Sequence, residues 1–580
     1  MRSYHAFIGF IGLFGTVAPS SAQEETTLYT NAKIVTVDAS FSIADSMIVK
    51  GSRIHWVGQA SNSPIPLTSE TKRVDLQGKM VLPGLIDSHV HALGASTFEW
   101  DHPVPDMETI QDVLKYIEQR SQSVPKGEWI FVSQVFITRL QEQRFPTREE
   151  LDQVAPHHPV CFRTGPDAAF NSLGLAKNQI DKNYVAPHDL KVKVERDPST
   201  HEPTGIIRNY AKITKVDASS RSPSVEESAL ALEKLLRDYN AVGITSIAER
   251  SVTEQGLRVF ETVQKHGHLT CRVFLNWSVE PNAPWDRVVE QVQTAASHPR
   301  HAYDEWLWLR GVKIFLDGGM LTGSAFMRQP WGKSTIYAID DPNYRGLLYV
   351  EPERLYQLAK LCLEKDLQFT AHSVGDGAVH ALLQAYDAID KDFPVRPTRP
   401  CITHCNFMSR EAIETMKRLG VVADLQPDWL WLDGKTLLQQ FGEERLAYFQ
   451  PYRSIIDSGV IVGGGSDHMQ KVGSLRSINP YNPFLGMWIA ITRQPRGMNR
   501  PLHAEQRIDR REAIKLYTIK NAFLLFDEKN RGSLEPGKLA DFIVIDRDLL
   551  ECPEAQIRSI QVEQTFVGGH QVHKVPSTYR

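Results

Sequence analysis

Along residues 27–58 apolar and polar positions alternate, in TLYTNAKIVTV (27–37), SMIVK (46–50) and RIHWVG (53–58). A period of two sets successive side chains on opposite faces of a pleated strand, so these stretches predict short antiparallel strands joined by Gly and Asp turns. The far end repeats the pattern, in GSLEPGKLADFIVID (532–546) and IQVEQTFVG (560–568). Two strand-rich ends around a mixed middle predict one β-sandwich built from both termini, residues 23–82 plus 525–580. The middle, 83–524, alternates apolar strands with amphipathic helices, the pattern of parallel α/β architecture. Candidate strands lie at 85–89, 243–249, 272–276, 311–317, 368–373, 401–405, 421–426 and 460–466, with helices such as 354–364, 378–389 and 410–418 between them. Eight such units close a (β/α)8 TIM-like barrel. The stretch from about 95 to 235 is too long for one crossover and predicts an insertion after barrel strand 1. An open doubly wound sheet is the competing α/β arrangement, but no Gly-rich phosphate loop follows the first strand.

Composition narrows the function more than the fold. With 42% hydrophobic and 23% charged residues the chain is ordinary for a globular protein. A net charge of -4 without a basic run gives no basis for a nucleic-acid partner. Cys161, Cys271, Cys362, Cys401, Cys405 and Cys552 are scattered and form no Cys-x-x-Cys pair, so buried thiols are expected rather than disulfides or a zinc knuckle. Arg2, the apolar run 6–18 and the exit Ser20-Ser21-Ala22 predict a secretory signal over residues 1–22 and an exported protein, periplasmic or secreted. That run is too short to cross a bilayer comfortably, so no stable membrane span is expected after signal removal. The sequence leaves a homo-oligomer open.

The chemistry begins at VLPGLIDSHVH (81–91), where an apolar strand closes on His89 and His91. Residues i and i+2 of a strand face the same way, so both imidazoles can reach one metal ion. A second such pair, His266 and His268, follows a helix-like run and a Gly, and reads as a solvated turn. His157-His158 reads as a polar loop. Barrel enzymes place their chemistry at the C-terminal ends of the strands. There this chain places Lys313 in strand four, His372 at the end of strand five, His404 at the end of strand six and Asp467 after strand eight. Singly these read as core histidines, a snorkelling lysine and a helix cap. Together they supply the several N and O donors that a metal site needs.

With GITS (243–246), VKIFLDG (312–318), HSVGDGA (372–378), TH (403–404), GSD (465–467) and GSLEPGKLAD (532–541), the chain resembles the amidohydrolase superfamily, in the subgroup typified by N-substituted formamide deformylase and its YtcJ-like relatives. The resemblance runs from about residue 28 to the C-terminus. It implies a metal-dependent barrel carrying one or two divalent ions, zinc by expectation. His89, His91 and Asp467 would hold one ion and His372 and His404 a second, with Lys313 bridging as a CO2-derived carbamate. Burial disfavours the ammonium form and so leaves an amine able to take up CO2. The implied activity is hydrolysis of an amide- or formamide-type non-peptide C–N bond of a small molecule by a metal-held hydroxide. Asp467 is the implied catalytic acid–base, passing a proton to the leaving amine.

Two departures from the family pattern stand out. Residues 164–172 lack the His that relatives often carry ahead of Asn-Ser, and Glu249-Arg250 replaces a common His-Asp pair. Both read as changes in substrate contact. Cyclic amides are an alternative substrate class. Deamination of a nucleobase-like ring is disfavoured, because barrel deaminases usually place Glu where this chain has Gly375. A non-catalytic scaffold is disfavoured by the full ligand set. Trp331, Trp429 and Trp431 follow strands four and seven, where they either contact an aromatic or apolar substituent or pack the rim.

Overall fold

The structure, a computed structural model, describes residues 25–63, 71–133, 135–217, 222–476 and 478–576. The expected signal segment, residues 1–22, lies outside them. Eight strands form one sheet in sequential order: β1 (Leu85–Val90), β2 (Ile244–Val252), β3 (Arg272–Ser278), β4 (Leu307–Phe315), β5 (Gln368–Ser373), β6 (Cys401–His404), β7 (Val422–Leu425) and β8 (Val462–Gly464). Each neighbouring pair is parallel. The sheet curls until the segment after β8 meets β1. There the Asp467 N–H donates to the His89 carbonyl at 2.8 Å, and Val90 bridges His468. Gly465 makes this seam possible, because a Cβ there would lie 2.8 Å from both the backbone N and the Cβ of His89.

β1, β5 and β6 are buried at every position, as expected for strands covered on both faces. Ile86, Ala248, Phe274, Trp308, Cys401 and Val422, from six different strands, pack with Ala522, Leu524 and Leu525 into one apolar cluster. Asn521 braces the seam by donating to the carbonyls of Ile86 and Gly464. The outer helices follow from amphipathic spacing. Arg410–Leu419 buries Ala412, Ile413, Met416 and Leu419 on one side, starts at a Ser409 cap and ends at Gly420 with φ 71°.

The long segment between β1 and β2 builds its own five-stranded sheet from Ile130–Val132, Val160–Thr164, Asp167–Phe170, Lys193–Arg196 and Pro203–Arg208. Helix Val225–Ala241 then returns the chain to β2. Buried Arg208 pairs with Asp167 and Glu195 and donates to the carbonyls of Thr322 and Tyr337, which ties this sheet to the loop after β4.

Strands from the two ends of the chain interleave. Phe542–Ile545 lies between Met80–Pro83 and Val562–Val567 in a six-stranded sheet. A four-stranded sheet is ordered Arg53–Gly58, Ser46–Lys50, Thr26–Thr30, Lys72–Asp75. Tyr29, Met47, Phe542 and Phe566 share their core, with the two Phe rings stacked at 4.3 Å. Arg272 of β3 grips Asp541 with two bonds of 2.7 and 3.0 Å and so pins this β-structure to the barrel. All six cysteines are free, and only Cys552 is not fully buried.

Candidate metal centre

Parallel strands end on one rim, so donors distant in sequence converge there. Nε2 of His89 and Nε2 of His91 lie 3.3 and 3.4 Å from Oδ1 of Asp467. These donor atoms of β1 and of the segment after β8 fall within 4.8 Å of one another. The His404 ring is 5.0 Å from that of His89 and 4.4 Å from that of His372. Lys313, 1% exposed, faces the same space, since its charge bears on His89, His372 and His404. All six expected residues are therefore brought together.

The electrostatics favour neutral donors. Burial pushes His89 and His404 well below the ordinary histidine range, with Lys313 and neighbouring imidazoles adding to the effect. His372 is lowered to about 3, again by burial and then by Lys313. Burial, with Arg250 close by, also brings Lys313 down to about 8, while Asp467 and Asp424 hold it up in part. Nε2 of His89 and Nζ of Lys313 are buried without a hydrogen-bond partner among the described residues. An imidazole nitrogen buried without a hydrogen bond is costly unless something binds it, and a divalent ion held between His89 Nε2 and Asp467 Oδ1 would do so. The donor set thus fits a metal of the zinc type. His404, Cys405 and Asp467 hold φ of 80°, 47° and 54°, strained values for such residues and typical of functional sites.

A further layer of residues escaped the sequence reading. Asp424 of β7 accepts from Ser88 Oγ at 2.6 Å, and its Oδ2 lies 3.2 Å from both Nδ1 of His89 and Nη2 of Arg250. Nδ1 of His404 meets Gln426 Oε1 at 2.7 Å. With their Nδ1 protons so engaged, both imidazoles present Nε2 as the lone pair, the usual arrangement behind metal-ligating histidines. Asp424 and Gln426 are themselves an i, i+2 pair at the end of an apolar strand, the signal that singled out His89 and His91. Asp317 accepts from the backbone N–H groups of Phe326, Val374 and Gly375 and so clamps the loop after β4 to the end of β5 beside His372.

The expected substrate contacts need correction. Glu249 is buried and accepts from the N–H groups of Ala92 and Leu93 at 2.7 and 3.4 Å, with Oε1 3.9 Å from His91 Nδ1. Burial raises its carboxyl to about 8. Arg250 donates to the Ser88 carbonyl and Asn276 and pairs with Asp424. Both residues brace β1 and the turn after it, because the end of β2 lies directly against that strand. Asn171 is likewise a buried cap, accepting from the N–H groups of Val160 and Gly174. Trp331 is core, packed on Tyr337 and Phe441. Trp429 stacks on His404 at 5.0 Å, and Phe315, 46% exposed, faces the His372 ring at 5.4 Å. His157 and His158 lie in a turn, where buried His158 bonds the Glu128 carbonyl. His266 and His268 also form a turn, but both rings are anchored on Glu233.

A model of the amidohydrolase family matches residues 72–573. The chain is 27% identical over 560 residues to N-substituted formamide deformylase of Arthrobacter pascens, covering 93% of this chain and 96% of that protein. It is 25% identical over 516 residues to the putative amidohydrolase YtcJ of Bacillus subtilis (strain 168), covering 87% and 91%. Among solved structures, an uncharacterized metal-dependent hydrolase from Pyrococcus horikoshii OT3 superposes with a TM-score of 0.65 at 23% identity, over 92% of this chain and 99% of that one. That likeness establishes a shared fold.

Proposed function

The chain belongs to the amidohydrolase family, and we propose that it is a metal-dependent hydrolase of a non-peptide C–N bond, amide or formamide in type, in a small molecule. The observation that carries the reading is the convergence of His89, His91 and Asp467 within 4.8 Å, beside Lys313, His372 and His404. His89, His91 and Asp467 would hold one divalent ion, zinc or a similar metal. His372 and His404 would hold a second, with Lys313 as a carbamate between them. Bound ions of this kind polarise a carbonyl and make water acidic enough to deprotonate near neutral pH.

The chain's own residues do the remaining work. Asp467 Oδ would take the proton of the water that adds to the carbonyl carbon and deliver it to the nitrogen as the C–N bond breaks, a general acid–base role. Asp424 and Gln426 fix the orientation of His89 and His404. Trp429 covers one face of His404 and keeps water off it. Phe315 offers an apolar surface at the mouth, which favours substrates with an apolar or aromatic substituent. The similarity to N-substituted formamide deformylase points the same way. We also propose export after cleavage behind Ala22, checked by N-terminal sequencing of native protein. A mature chain starting at Met1 in the cytosol would contradict it.

The test of function is a hydrolysis screen of the metal-replete protein against N-formyl amines, N-acyl amines and cyclic amides. Turnover of at least one class, abolished by chelation and restored by zinc, is expected. Metal-independent turnover, or none in any class by metal-replete protein, refutes the reading.

A further inference from the structure

The turn after helix Glu254–Lys265 gathers a second set of donors, one that the centre above does not use. We propose that His266, His268 and Glu233 form a peripheral site for a divalent transition metal, which staples this turn to helix Val225–Ala241. Glu233 lies in the middle of that helix and is 4% exposed. A carboxylate so buried needs partners. It meets Nδ1 of His266 with one oxygen and Nδ1 of His268 with the other, each at 2.8 Å. Gly267, with φ 73°, turns the chain so that both rings reach the same side.

Two histidines solvating a buried carboxylate would explain those contacts alone. The wider arrangement goes further. One donor atom from each of the three residues lies within 4.8 Å of the others. Two imidazoles and a carboxylate are a ligand set that zinc-type ions take, and imidazole excludes calcium or magnesium as the preferred occupant. Nε2 of His266 lies 3.3 Å from Oε1 of Glu226. A carboxylate behind a ring holds the proton on the far nitrogen and leaves the near one as a lone pair, the relation seen behind metal-bound histidines. Metal binding at Nδ1 needs the ring proton on Nε2, and for His266 that nitrogen faces the Glu226 carboxylate. Metal–donor bonds of about 2.0–2.2 Å in a tetrahedron put neighbouring donors about 3.3 Å apart. The 2.8 Å spacings must therefore open slightly. His268, 57% exposed, is free to swing and leaves the outer side of the ion to water. The turn leads into the start of β3, whereas the centre occupies the opposite, C-terminal ends of the strands.

The experiment compares full-length protein, already loaded at its barrel centre, with its His268→Asn variant. Exposed His268 can change without disturbing the core, and Glu233→Gln serves as a second variant. Zinc is titrated against a chromophoric chelator, and thermal unfolding is followed with and without added zinc. The wild type should take up one further equivalent with micromolar or tighter affinity and melt higher with zinc. Both variants should lose that equivalent and that response. Equal uptake and equal melting shifts in wild type and His268→Asn overturn the proposal, as does uptake only at millimolar zinc, the mark of an adventitious ion only.

Discussion

Replacing Asp424 by Asn isolates the layer behind the proposed metal ligands. The substitution keeps side-chain size and one oxygen but removes the charge shared by Ser88 Oγ, His89 Nδ1 and Arg250 Nη2. Two costs follow. His89 loses the carboxylate that fixes its tautomer and raises its basicity, a loss that typically weakens metal binding about 10–100-fold, or about 1.4–2.7 kcal/mol. Arg250, wholly buried, loses its counter-charge and keeps only its bonds to the Ser88 carbonyl and Asn276. Breaking one side of a buried pair costs about 3–5 kcal/mol of stability.

These costs have separate readouts. Chelator competition should show the weaker metal binding, and urea unfolding of metal-free protein should show the stability loss. Adding Arg250→Gln removes the stranded charge, so the double variant should recover much of the stability while metal affinity stays low. Wild-type metal affinity in Asp424→Asn would refute the role assigned to Asp424. Loss of stability with intact affinity would leave it a purely structural partner of Arg250.

Lys313→Ala should lose one metal equivalent and most activity, with partial rescue by a short carboxylic acid; unchanged metal content by elemental analysis contradicts the bridging carbamate. Asp467→Asn should lower kcat by at least about 10²-fold with a much smaller change in KM, and near wild-type turnover in metal-checked protein refutes its proton-transfer role. His372, lowered from 6.5 to about 3, resists protonation in the fold. As pH falls through that window the unfolded chain takes the proton first, so metal-free protein should lose stability there. The loss should be shallower in His372→Gln by about one proton's worth of slope, and identical slopes contradict the assignment.

The barrel was legible because its strands are short apolar runs separated by amphipathic helices, and each expected strand overlaps an observed one. The convergent donor residues were legible for a related reason. One such residue at the end of an apolar strand carries little weight, but His89, His91, His372, His404 and Asp467 recur at the ends of four different candidate strands. The supporting residues carry a weaker local signal. Asp424 lies within β7 and Gln426 just past its end, and their partners come from β1, β2 and β6, which only the closed barrel brings near. Glu249 and Arg250 were noticed, but which side of a strand end faces the ligand depends on the neighbouring strand. His266 and His268 looked solvated because Glu233 lies more than thirty residues earlier in the chain.

The insertion is linked structurally to the rim that carries the converging donors. It departs from the chain after β1 and is tied by Arg208 to the loop that follows β4. That loop is clamped by Asp317 to the end of β5. Phe315 stands at its base, exposed beside His372. Buried hydrogen bonds therefore connect the inserted sheet to the rim beside His372 through residues other than the six converging donors. The rim from β1 to β8 can keep one chemistry while the insertion alters what is admitted to it.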